Sequence, residues 1–130
     1  MAYEGDLEDD GQTIFVGTDV NVVYIDQAVE LGVGTPVDMA GWTVVLDIRK
    51  KDVSPAPAVL SKTGTVSGSY SATPASNTQK VTFALSATDT SATAFPKDDA
   101  TYRYSIKRTD SGAKTVLRYG SALINRVTQV

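Results

Sequence analysis

ATYRYSIKRTDSGAKTVLRYGSALI (residues 100–124) is the stretch that decides the fold. Two runs rich in Tyr, Ile, Val, Thr and Leu flank a short polar link containing Gly, the sequence signal of a β-hairpin. In the first arm Tyr102, Tyr104 and Ile106 alternate with Arg103, Ser105 and Lys107. A period of two belongs to a strand with one face buried. Asp110, Ser111 and Gly112 suit the turn, because Asp bonds its own downstream backbone and Gly adopts left-handed backbone without steric cost. The second arm starts in register at Val116, and Gly120 predicts a bulge or a bend at a sheet edge.

The same alternation recurs upstream. Trp42, Val44, Leu46 and Ile48 face away from Thr43, Val45, Asp47 and Arg49, so 42–50 reads as a strand with Trp42 heading its apolar stripe in the core. Residues 80–86 repeat the pattern with Val81, Phe83 and Leu85 inward. Further strands are expected over 13–16, 20–28 and 59–66. Between them, 32–41 reads as a loop whose Val37 and Met39 plug the end of the body, and 67–78 as a long Ser/Thr-rich tip. Residues 87–100 read as a corner with one turn of helix after Asp89, and 126–130 as a last strand or tail. SPAPA (54–58) interrupts the sheet, because proline lacks the N–H that a ladder needs. About seven short strands separated by turns, with no long helix, predict an all-β fold: an immunoglobulin-like antiparallel β-sandwich, a small barrel being the second choice. Residues 1–12 read as an extended acidic N-terminal arm, anchored at most by Tyr3 and Leu7, and 13–130 as a single immunoglobulin-like domain.

Composition narrows the chemistry. The 130 residues are 42% hydrophobic and 21% charged, which suits one globular domain. No run approaches the roughly 20 apolar residues that cross a bilayer, and MAYEGDLEDDG lacks the basic and apolar parts of a secretory signal. A protein made in a cytoplasm, without a membrane partner, is expected. There is no Cys and no His, which removes disulfides, thiolate nucleophiles, Cys-based zinc sites and the usual imidazole base or metal ligand. No carboxylate pair stands out in their place, so a non-enzymatic protein without a cofactor is expected.

Charge is divided unevenly. Residues 1–48 hold ten carboxylates and no Lys or Arg, while 49–130 hold all twelve basic residues and five acidic ones, so a segment of −10 joins one of +7. Either acidic and basic strands pair within the domain, or the acidic arm of one copy lies on the basic face of the next. The candidate interface residues are therefore Glu4, Asp6, Glu8, Asp9 and Asp10 in the arm, the basic cluster Arg49, Lys50 and Lys51, and Tyr70 in the exposed loop. Asp6, Glu8, Asp10 and Gly11 match positions of a calcium loop, but its twelfth position is Gly17 where a bidentate Glu belongs, so no metal site is assigned. Three basic residues in a chain of pI about 4.8 argue against nucleic acid.

Three segments together, GTPVDMAGWTVVLDIRK (34–50), KVTFALSATDTSA (80–92) and the hairpin of 100–124, resemble small immunoglobulin-like proteins encoded among bacteriophage virion genes. The N-terminal domain of phage baseplate upper proteins is similar. The resemblance spans about 13–124 and rests on Asp38-x-x-Gly41 after the Pro loop, the Asp89-Thr90 corner, and the Tyr-rich strand running into Asp110-x-Gly112. It implies a non-enzymatic structural protein of the virion, partnered by the major capsid protein and by neighbouring copies of itself in a homo-oligomeric assembly. With no coiled coil or fibre following the domain, capsid decoration or cement is the expected role. A tail, baseplate or tail-fibre adaptor is the alternative, and a virion-displayed carbohydrate-binding module a third reading.

Overall fold

A computed structural model describes residues 3–5, 14–50, 58–91, 95, 102–110, 114–122 and 124–125. Among these, ten strands form: β1 (Tyr3–Glu4), β2 (Ile14–Phe15), β3 (Val20–Tyr24), β4 (Val44–Lys50), β5 (Ala58–Thr63), β6 (Thr65–Ser67), β7 (Lys80–Leu85), β8 (Tyr102–Arg108), β9 (Thr115–Ala122) and β10 (Ile124–Asn125). One sheet has the order β1-β9-β8-β4-β5 and a second the order β3-β7-β6. Both are antiparallel except where β1 runs parallel to β9; β2 and β10 make a short parallel pair of their own. The all-β expectation holds, with the hairpin and the stripes of β4 and β7 where the alternation puts them.

The core lies between the inner faces of the two sheets. The larger sheet contributes Val44, Leu46, Ile48, Tyr102, Tyr104 and Ile106, and the smaller one Val22, Tyr24, Val81, Phe83 and Leu85. Each such side chain, once fully buried, contributes about 1.5–3 kcal/mol. Phe95 meets Tyr102 edge to face at 5.3 Å between ring centroids.

Several local expectations are corrected. The strand expected over 20–28 stops at Tyr24, and a short helix, α1 (Gln27–Leu31), follows. Asp26 Oδ1 accepts the Ala28 N–H at 2.8 Å, and Gly32, with φ of 73°, closes the other end in left-handed backbone. Met39 is buried, its N–H donating to Gln79 Oε1 at 2.8 Å, but Val37 points outward. Trp42 is only partly buried: it packs against the core while the Arg108 guanidinium lies 4.2 Å above its ring. A turn follows β7 from Ser86, and past Asp89 the Phe95 N–H donates to Ser91 O at 3.0 Å, residues 92–94 lying outside the described ones. At the start of this turn the Ser86 N–H donates to Asp89 Oδ2 and the Asp89 N–H to Ser86 Oγ, a reciprocal cap. Thr90 then ties this corner to the turn after β2, its hydroxyl donating to Thr18 O at 2.7 Å.

Two corrections concern the larger sheet. Gly120 sits in a regular ladder opposite Tyr104; the irregularity falls at Leu117, which has no partner because Ile106 pairs with Arg118 and Lys107 with Val116. The start of the acidic arm is part of the sheet, as β1 pairs with Arg118 and Tyr119. The Gly5 N–H donates to Tyr119 O at 2.9 Å, and the Tyr104 hydroxyl donates to Gly5 O. Leu7 and the remaining arm residues to 12, together with 126–130, lie outside the described residues.

Between β5 and β6 the chain passes from one sheet to the other through Gly64 alone. A Cβ there would stand 2.4 Å from Val81 Cγ1 and 2.7 Å from Phe83 Cε1, so a larger residue has to displace core side chains. Gly64→Ala is expected to destabilise the protein by about 1–3 kcal/mol, read as a lower urea midpoint with an unchanged slope. Thr65→Ala, on an exposed side chain, is expected to change stability by less than about 0.5 kcal/mol.

Candidate interaction surface

The outward side of the larger sheet is built by cross-strand register. Asp47 lies across from Ser61 on one side and Ser105 on the other, Ser105 across from Tyr119, and Tyr119 across from Glu4. Arg103 and Lys107 project on the same side from β8, with Val116 opposite Lys107. The face encloses a concavity of about 530 Å³ bordered by Glu4, Asp47, Arg49, Arg103, Val116 and Tyr119.

Asp47 anchors it. The side chain is largely covered, the residue being 6% exposed. Its carboxylate accepts from Ser61 Oγ at 2.7 Å, Lys107 Nζ at 3.2 Å and Arg49 Nη2 at 3.5 Å. Burial pushes the carboxyl pKa up, but hydrogen bonds from Ser61 and Lys107 and the charges of Lys107 and Arg49 outweigh it, and the net shift is downward. Such a group is an anion fixed in place, matched to holding cationic side chains and mismatched to taking a proton near neutral pH.

A second polar cluster fixes the turn end of the β8–β9 hairpin. Arg108 Nε and Nη2 reach the two oxygens of Asp110 at 2.9 and 3.0 Å, and Asp110 Oδ1 also accepts the Thr43 N–H at 2.9 Å. The Arg108 hydrogen bond and that from Thr43 push the Asp110 pKa down to about 2. Asp110 thus braces the entrance to the neighbouring strand; the downstream turn to which the sequence predicts a bond, residues 111–113, lies outside the described residues.

Of the residues singled out from sequence, Glu4 and Arg49 both border the concavity. Lys50 takes the opposite phase of β4, paired with Tyr102. Tyr70 is elsewhere, in the connection from β6 to β7, its hydroxyl donating to Pro36 O at 2.8 Å. Asp6, Glu8, Asp9, Asp10 and Lys51 lie outside the described residues, and the calcium-loop pattern with them. The sequence reading missed Asp47, Arg103, Val116 and Tyr119 as one surface. The alternation of 102–108 already turned Arg103 outward, whereas the step at Leu117 hid Val116 and Tyr119. Phe15 and Tyr119 are exposed as well as Tyr70, each on a different element.

The expected pairing of acidic with basic strands is narrow. Between described residues the ion pairs are Asp47 with Arg49 and Lys107, Asp89 with Lys62, and Asp110 with Arg108. Of these carboxylates only Asp47 comes from the acidic first 48 residues.

Asp47 ionises in the folded state below its ordinary value of 3.8. Its stabilising effect is therefore complete above that pH and lost as pH falls through the lower folded value. Urea melts of the wild type are expected to weaken below about pH 4, and Asp47→Asn is expected to lower stability at pH 7 by about 1–3 kcal/mol and to flatten that acid limb. Equal acid sensitivity in wild type and variant would show that Asp47 carries none of it. No family model and no curated protein matches the chain, so the reading of this surface rests on its own residues.

Proposed function

We propose that the chain is a non-enzymatic, immunoglobulin-like structural protein of a bacteriophage virion, a capsid decoration or cement protein that binds repeated junctions of the shell and stabilises it. Strand order supports the immunoglobulin-like part. With β3 to β9 read as strands B, C, C′, D, E, F and G, the sheets become G-F-C-C′ and B-E-D, close to the variable-type arrangement. Buried Tyr102 at the start of β8 matches the position of that fold's corner tyrosine. The virion part comes from the sequence resemblance over 13–124.

The observation that carries the adhesive reading is the outer-face concavity. Tyr119 and Val116 are exposed beside Arg103 and Arg49, on strands stiffened from behind by the core. Aromatic and Arg side chains on a rigid backing are what protein interfaces concentrate at their centres. On a shell, many weak contacts of this kind act at high effective concentration, so each needs only modest affinity. The partners in this reading are the major capsid protein and neighbouring copies of the same chain.

Purified protein added to capsid shells lacking it is expected to bind saturably. Tyr119→Asp should weaken that binding about tenfold or more while keeping a cooperative melt. Recovery only with tail fractions of dissociated virions would replace the capsid role with that of a tail or baseplate adaptor. Absence from every particle fraction would overturn the reading.

A further inference from the structure

At the end of the molecule where β3 runs into β4, the connection raises a second surface. Leu31 and Val33 are 63% and 64% exposed, the most exposed large hydrophobic side chains among the described residues, and Val37 is 49% exposed. The segment is fastened in place. Asp26 Oδ2 accepts the Val37 N–H at 3.3 Å, the other Asp26 oxygen caps α1, and Tyr70 holds Pro36. Beside Leu31 stands exposed Glu30, which makes no ion pair with a described residue. No Lys or Arg occurs anywhere in residues 1–48, nor in 63–79 of the adjoining loop. The protrusion is therefore apolar and purely anionic.

The concavity on the larger sheet is bordered by both signs of charge, Glu4 and the ion-paired Asp47 against Arg49 and Arg103, and it offers Val116 and Tyr119 as apolar contacts. Arg103 is exposed and makes no ion pair with a described residue. Two protrusions meeting head-on would oppose carboxylate to carboxylate, whereas a protrusion meeting a concavity opposes Glu30 to Arg103.

We propose that the β3–β4 protrusion of one copy seats in the outer-face concavity of the next, Leu31 and Val33 against Val116 and Tyr119, and Glu30 against Arg103. The contact joins two different surfaces, so its repetition builds a ring or a row of copies and not a closed pair. It places in the folded loop the acidic role expected of the N-terminal arm. It rests on reading the concavity as an adhesive surface and names the partner that fills it.

The test uses the purified full chain without particles, by sedimentation over a concentration series at low salt. The wild type is expected to self-associate, and added salt to weaken the association. Glu30→Arg and Arg103→Glu should each weaken it about tenfold or more, with Leu31→Ser acting likewise. The double variant Glu30→Arg with Arg103→Glu restores opposite charge across the contact and should recover most of the loss. These side chains are exposed, so unchanged melting temperatures certify the fold of each variant. A wild type that stays monomeric at about 1 mM, the effective concentration tethering supplies, overturns the proposal, as does a double variant no better than the single ones. Shell binding without self-association removes this contact and leaves the decoration reading. Self-association without any particle association does the reverse.

Discussion

Along an extended strand, side chains alternate faces, so residues three apart cannot share a side unless a residue is inserted between them. Val116 and Tyr119 are three apart, and both face outward. The inserted residue is Leu117, which turns into the core together with Arg118. The outer surface of the larger sheet depends on that single irregularity. It also aligns Tyr119 with β1, after which Gly5 closes the edge through the Tyr119 carbonyl and the Tyr104 hydroxyl. Arg118, carried inward by the same step, lies with its guanidinium 5.8 Å from the Tyr104 ring centroid. Edge strand, buried tyrosine and exposed tyrosine are thus set by one register choice.

Among the described carboxylates of the acidic half, Asp19, Asp26 and Asp38 fasten backbone. Asp19 accepts the Ala87 N–H at 2.7 Å, Asp26 caps α1 and holds Val37, and Asp38 accepts from Ala40 N–H and from the Gln79 amide at 3.0 and 2.9 Å. The Gln79 and Ala40 bonds hold the Asp38 pKa below the ordinary carboxylate value. Loops made stiff this way keep their negative charge near the surface without cancelling it against cations of the second half. Among the described residues the β3–β4 connection carries Asp26, Glu30 and Asp38 and no cation, while most Lys and Arg side chains belong to strands of the larger sheet.

Much of the sheet was legible because period-two patterns report directly on burial. Val44, Leu46 and Ile48, Val81, Phe83 and Leu85, and Tyr102, Tyr104 and Ile106 all lie inward where their alternation places them. What stayed hidden arises where local chemistry breaks the period. Asp26 stops β3 by capping a helix that five residues of propensity would not nucleate alone. Leu117 leaves no mark in composition, since a bulge residue of this kind looks like any strand residue. Gly120 looked like the irregular position because glycine is the commoner signal, yet it fits the ladder opposite Tyr104. Burial of Asp47 was equally unreadable, because its cover comes from Ser61 and Lys107 on two neighbouring strands.

Gly64 has a mechanical consequence. Residues 58–67 form one nearly continuous extended segment, its first part bonded into one sheet and its last into the other. For the two layers to slip past one another by a residue, about 3.3 Å, this already taut backbone would have to lengthen or break its hydrogen bonds on one side. Shear across the body is therefore resisted by covalent geometry as well as by side-chain packing, and tension applied to one layer is handed directly to the other.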